Sequence, residues 1–185
     1  MKKVLVILLL FLVPLNVFGK DTAKSSIVMD IDSGRILYEN NADDARLIAS
    51  ITKIMTCIIA IEEGDLDKEI KVGEEILKMY GTSIYLEVGE KMKLIDLIYG
   101  LMLRSGNDAS VVIAKEVAGS EDEFVKMMND KAKELGMTNT TFSNPHGLDE
   151  ETENYSTARD MAKLSRYAYK NKTYRKIVRT EEYRV

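Results

Sequence analysis

The chain of 185 residues has one cysteine, one histidine, two prolines and no tryptophan. A single cysteine excludes an intramolecular disulfide. Cys57 lies among Ile54, Met55, Ile58 and Ile59 with no histidine near it in sequence, so a buried, inert thiol is expected there. An excess of positive charge is also missing. The 26 Lys and Arg against 30 Asp and Glu leave a net charge of −4 with the signs mixed. This argues against nucleic acid as a partner, because a phosphate-binding surface needs clustered Lys and Arg. The one basic cluster, 170–179, is interrupted by Tyr174 and Ile177 and reads as a solvated face. There is no internal repeat and no low-complexity tract. The apolar fraction of 45% is ordinary for a globular chain and sufficient for a core.

The longest apolar run, 4–13, follows Met1, Lys2 and Lys3 and ends at Pro14. It has the length of a signal h-region and is too short to span a membrane comfortably. Val17, Phe18 and Gly19 offer a cleavage site before Lys20. The expectation is a signal peptide over 1–19 and an exported chain over 20–185, secreted or membrane-associated on the outer side of the cytoplasmic membrane.

Residues 27–31 alternate as a half-buried strand, 32–35 supply turn chemistry, and 36–39 resume extended character, which predicts a hairpin. Ala49 and Ser50 open a helix predicted to run to Glu63, with Ile51, Ile54, Met55, Ile58 and Ile59 at helical spacing and Gly64 as the stop. Further helices are predicted over 72–80, 94–103, 108–117, 121–135 and 157–169, the last capped by Ser156 or Thr157. Segment 81–89 reads as a loop or short strand pair, 139–149 as a loop, and 174–185 as extended. A lone hairpin is marginal, so further strands are expected on its edges, and the sequence does not contain them.

Ser50-Ile51-Thr52-Lys53 is the only Ser-x-x-Lys in the chain. Positions three apart share a helix face, and a helix start adds free N–H groups and positive potential. A serine hydroxyl needs a base to become a nucleophile. A lysine serves once burial and positive potential lower its pKa. The backbone N–H of Ser50 is a candidate oxyanion donor. Such a pair arises by chance about once in a chain of this length, so its placement at the head of an apolar helix carries the weight. Ser105-Gly106-Asn107 adds a second piece. It lies between two apolar helices, where Ser105 could face Lys53 and relay a proton, and Asn107 could fix a substrate amide; an ordinary helix-cap turn is the plainer alternative.

Together these motifs resemble the penicillin-recognising serine enzymes, and more narrowly the low-molecular-mass D-alanyl-D-alanine carboxypeptidases. The resemblance extends to 29–39, 48–56, 96–109, 142–148 and 156–162, and covers nearly everything from Ser26 to Val185. It implies an α+β, β-lactamase/transpeptidase-like fold: a helical region with part of an antiparallel sheet. Ser50 would be acylated by the penultimate D-alanine carbonyl of a peptidoglycan stem peptide ending in D-Ala-D-Ala. Lys53 would be the base, Ser105 would relay the proton to the leaving amine, and Asn107 would position the substrate. β-Lactams would acylate Ser50 as mimics. No cofactor or metal is implied. His146, the only histidine, falls in a stretch that is structural in the family, not basic in the catalytic sense.

The chain departs from the family in three ways. The third motif, Lys-Thr-Gly or Lys-Ser-Gly, is absent, since Lys172-Thr173-Tyr174 has a side chain where close backbone approach is needed. A C-terminal region, which often carries a membrane anchor, is missing with it, so a truncated or partial peptidase domain over 20–185 is expected. Asn154 stands where many relatives have histidine. Two other readings stay open. A β-lactam hydrolase is disfavoured by Gly106, because class A β-lactamases carry Ser-Asp-Asn here and use a later glutamate, and Glu150, Glu151 and Glu153 form only an acidic run. A non-catalytic peptidoglycan-binding protein is favoured by the missing triplet.

Overall fold

The computed structural model describes residues 21–184. The expected signal peptide therefore lies outside the described residues. Among them, no helix is long and apolar enough to cross a membrane.

The architecture is α+β, with five helices around one central helix among the described residues. Strands β1 (Ser26–Met29) and β2 (Ile36–Asn40) form the antiparallel hairpin, with a register shift at Val28/Met29. Strand β3 (Arg46–Leu47) leads into a 3₁₀ turn, Ala49–Thr52, and then into α1 (Lys53–Glu63). Strand β4 (Glu69–Lys71) and a 3₁₀ turn, Glu74–Lys78, precede β5 (Lys91–Lys93) and α2 (Leu94–Arg104). Then follow α3 (Asn107–Ala118), α4 (Glu121–Glu134), β6 (Tyr155–Ser156), α5 (Ala158–Lys170) and α6 (Lys172–Val178).

Helix α1 is apolar nearly all round: Met55, Cys57, Ile58, Ile59 and Ala60 are buried. A helix of that kind belongs inside, and α1 packs against each of the other five helices. The thiol of Cys57 is pushed far up by this burial, as expected of an inert cysteine. Helices α2 and α3 supply Leu97, Ile98, Leu101, Val112 and Ile113 to the same core, and α4 adds Phe124 and Met128.

The structure corrects the expected elements in four places. Segment 174–185 was expected to be extended, but Lys172–Val178 is helical. The Asn171 carboxamide caps it by accepting the N–H groups of Thr173 and Tyr174, and Tyr174 and Ile177, three apart, are buried together. The helix expected over 72–80 shrinks to the 3₁₀ turn. Two strand pairs were not foreseen: β4 with β5, and β3 with β6. Each strand has only two or three residues, too few to show a period. The 49–63 helix begins as 3₁₀ and becomes α-helical at Lys53.

The hairpin remains a two-stranded sheet. Helix α5 packs on it, and Arg166 donates to the carbonyls of Ile31 (2.9 Å) and Asp32 (2.7 Å) in its turn. Val28, Leu37 and Tyr38 stay about half exposed. Thr157 caps α5 by accepting the Asp160 N–H at 3.1 Å.

Leu97 of α2 is fully buried in this core. Leu97→Ala is expected to cost about 2–5 kcal/mol, since the packed helices cannot collapse into the gap. Urea denaturation measures this, and a midpoint equal to wild type would contradict the packing described.

Candidate active site

Three segments distant in sequence converge at the head of α1. The first is the 3₁₀ turn with Ser50, whose side chain is exposed. Ala49, just before it, has φ 43°, in the left-handed region. For alanine this conformation costs of order 1–3 kcal/mol and persists only where surroundings enforce it. The second is the turn Ser105–Asn107 between α2 and α3. The third is the loop 142–148.

Lys53 joins them. It is 3% exposed. Its Nζ lies 3.3 Å from Ser50 Oγ, 2.8 Å from Asn107 Oδ1 and 2.5 Å from the carbonyl oxygen of His146. Among the described residues no carboxylate pairs with it. Burial without a counter-charge lowers its pKa to about 8. The geometry suits the neutral amine. Its two N–H donors meet two acceptors, Asn107 and His146, and its lone pair is left for the Ser50 hydroxyl.

The backbone N–H of Ser50 has no acceptor among the described residues. Ser105 is brought less close. It adopts φ 56°, ψ 36° at the end of α2, and its carbonyl accepts from Thr82 Oγ1. Its hydroxyl makes no hydrogen bond among the described residues. Asn107 is engaged internally at both ends, with one amide N–H left over: Oδ1 accepts from Lys53 and Nδ2 donates to the Tyr80 carbonyl at 2.7 Å. The buried Asp108 carboxylate accepts from Ser83 Oγ and from the N–H groups of Ile84 and Leu86, so segment 80–86 is strapped across the motif. A Cβ on Gly106 would stand 3.0 Å from Asp108 Oδ1 and 3.2 Å from Ile84.

The loop 142–148 contributes backbone, not side chains. Its histidine ring is turned into its own loop: Nδ1 accepts the Leu148 N–H at 3.0 Å, and Nε2 lies 3.6 Å from Glu121. His146 therefore gives Lys53 a carbonyl and leaves no imidazole for Ser50. Pro145 presents its carbonyl to Thr56 Oγ1 at 2.7 Å. Gly147, at φ +87°, lets the loop touch the nucleophile turn, since a Cβ there would sit 2.0 Å from the Ala49 carbonyl oxygen. Two buried carboxamides hold the loop. Asn144 Oδ1 accepts from His146 N and Gly147 N, and Asn154 Oδ1 accepts from Ser143 N and Asn144 N. Sequence reasoning missed Asn144, Gly147 and the His146 carbonyl, for which the resemblance of 142–148 to a family stretch was the signal available; it singled out Asn154 as a departure from histidine but assigned it no role.

A serine facing a buried lysine at a helix head, with no carboxylate on that lysine among the described residues, has the parts that serine–lysine acyl transfer requires. The D-alanyl-D-alanine carboxypeptidase family matches residues 17–185, and the chain belongs to that family. It is 42% identical over 165 residues to D-alanyl-D-alanine carboxypeptidase DacF of Bacillus subtilis (strain 168), covering 86% of this chain and 42% of that protein. It is 41% identical over 155 residues to DacC of Escherichia coli (strain K12), covering 78% of this chain and 38% of that protein. Among solved structures, it superposes on the D-alanyl-D-alanine carboxypeptidase DacD from Francisella tularensis with a TM-score of 0.80 at 36% identity, over 86% of this chain and 40% of that one. A mutant of the Streptomyces K15 DD-transpeptidase gives 0.83 at 31% identity, over 88% and 67%. The fold is thus that of the penicillin-binding D,D-peptidases, and the chain spans about two fifths of the length of the two curated relatives.

Gly147 offers a direct check on the convergence of loop and turn. Gly147→Ala combines a left-handed φ with a backbone clash and is expected to cost more than about 2 kcal/mol. A thermal melt equal to wild type would show that the loop does not press on Ala49 as described.

Proposed function

We propose that this chain carries the nucleophile of an exported serine-type D-alanyl-D-alanine carboxypeptidase that acts on peptidoglycan stem peptides and is acylated by β-lactams. The observation that carries this reading is the state of Lys53: buried, without a counter-charge, 3.3 Å from Ser50 Oγ, with both amine N–H groups occupied.

The neutral Lys53 amine takes the Ser50 proton as Oγ attacks the penultimate D-alanine carbonyl. The Ser50 N–H supplies one oxyanion donor. The proton passes to the departing D-alanine amine, with Ser105 as the relay after its hydroxyl turns toward Lys53. Water then hydrolyses the acyl-Ser50 ester. Asn107 fixes the amine and, through its carboxamide, the substrate backbone. The relatives named above, three D-alanyl-D-alanine carboxypeptidases and a DD-transpeptidase, support the same reaction class. A β-lactamase of the Ser-Asp-Asn type fits less well, because an aspartate at 106 would be forced against Ile84 and the Asp108 carboxylate.

The test is covalent labelling of the full chain with a fluorescent penicillin. Ser50→Ala is expected to abolish labelling, and Lys53→Ala to slow it by about 100-fold or more. Because the free amine is the active form, the labelling rate should rise with pH to a plateau above about 8. Below that it should fall by about tenfold per pH unit. A folded wild-type chain that takes no label, or a Ser50→Ala chain that keeps it, would overturn the reading.

A further inference from the structure

Asn154 is 2% exposed and makes more hydrogen bonds than any role in the peptidase reaction has asked of it. Its Nδ2 donates to Thr52 Oγ1 at 2.9 Å and to the Asn144 carbonyl at 2.9 Å, with Asn144 Oδ1 a further acceptor at 3.2 Å. Its Oδ1 accepts from Ser143 N at 2.6 Å and from Asn144 N at 3.1 Å. Its backbone carbonyl accepts the Ile48 N–H at 3.2 Å. One residue thus grips both sides of the site. Thr52 stands inside the turn that separates Ser50 from Lys53, and Ile48 precedes it. Ser143 and Asn144 open the loop whose His146 carbonyl holds the Lys53 amine.

We propose that Asn154 is a positioning residue for the Ser50–Lys53 pair, its carboxamide fixing the nucleophile turn, through Thr52, against the 143–147 loop that supplies the acceptor for Lys53. The chemistry required is specific. Two N–H groups, a hydroxyl oxygen and a carbonyl oxygen must be met from one point, so the group there must donate and accept at once. Alanine does neither. Aspartate accepts both N–H groups and loses both donors, which sets a carboxylate oxygen against the Asn144 carbonyl. A neutral imidazole provides one donor and one acceptor, so histidine is the natural substitute. Leaving these buried groups unmet costs about 1–3 kcal/mol each, and the path by which the loop relaxes runs to His146 and from there to Lys53.

The inference rests on the reading of Lys53 as the base, so its test reads the lysine directly as well as the reaction. The charged neighbours are few. Among the described residues no carboxylate pairs with Lys53, and the nearest elements bring the His146 ring with Glu121, and Asp108, whose carboxylate is taken up by segment 83–86.

The full chain is labelled with lysine carrying carbon-13 at Cε, Lys53 is assigned by Lys53→Arg, and its titration is followed by NMR in wild type, Asn154→Ala, Asn154→His and Thr52→Val. Asn154→Ala should admit water around the amine and move its midpoint upward toward ordinary lysine. Thr52→Val, which removes only the hydroxyl contact, should move it the same way by less. Asn154→His should return it toward wild type. Penicillin labelling should slow by about 100-fold in Asn154→Ala, the loss that a misplacement near 1 Å produces, and recover in Asn154→His. A folded Asn154→Ala chain with wild-type titration overturns the proposal. If Asn154→Ala does not fold, Thr52→Val decides, and an unmoved midpoint there overturns it equally. A wild-type chain that takes no penicillin while its Lys53 midpoint still follows Asn154 overturns the functional reading and leaves the positioning role standing. A wild-type Lys53 that titrates as an ordinary lysine overturns both.

Discussion

An amine buried without a counter-ion is a costly thing for a small fold to hold, and the arrangement around Lys53 shows how the cost is contained. A charged ammonium at this depth would need a carboxylate, and none is supplied among the described residues. The surroundings instead offer two neutral acceptors, one carboxamide oxygen and one backbone carbonyl, which satisfy a neutral amine and under-serve a cation. Burial and hydrogen-bonding capacity therefore act in the same direction. Helix α1 can bring this group inside because every other helix among the described residues packs on it.

What surrounds the lysine is mostly backbone held by amides. The 142–148 loop has no regular structure, yet it lies against the nucleophile turn closely enough that only glycine fits at 147. Asn144 and Asn154 do for this loop what a ladder of main-chain bonds does for a strand. They collect its N–H groups and leave the carbonyls of Pro145 and His146 to turn inward, onto Thr56 and Lys53 of α1. The left-handed conformation of Ala49 is the complementary distortion on the opposite wall, held in place by the same contact.

The broad outline was legible in the sequence, and the reason is physical. Helices α1 to α5 are long, and their apolar residues recur at helical spacing with glycines or capping hydroxyls at the ends, so period and punctuation agree. Ser50 and Lys53 were legible because their relation is local, three residues on one helical face. The remainder is not local. The acceptor for Lys53 is a carbonyl, which no residue type announces. Asn154 meets Thr52 across 102 residues, and its neighbours in sequence, an acidic run and a tyrosine, gave no hint of a buried amide. Ser105 was expected to face Lys53; its backbone is left-handed and its hydroxyl makes no hydrogen bond, to Lys53 or otherwise, among the described residues. The strands β3 to β6 are too short to have a pattern, and α6 was misread because its cap, Asn171, sits within a run of lysines that looked merely solvated.

The span of these contacts has a kinetic meaning. Lys53 is tied to a residue 54 positions away and to another 93 positions away. Contacts of such separation close late in folding, after the local helices have formed. Until they close, the lysine is solvated and titrates as an ordinary amine, above the value of about 8 that burial gives it in the fold, and Ser50 is an ordinary alcohol. Reactivity is in this sense a report of completed topology: a chain still in transit, with its helices made but its loop undocked, has the nucleophile in its sequence and none in its chemistry.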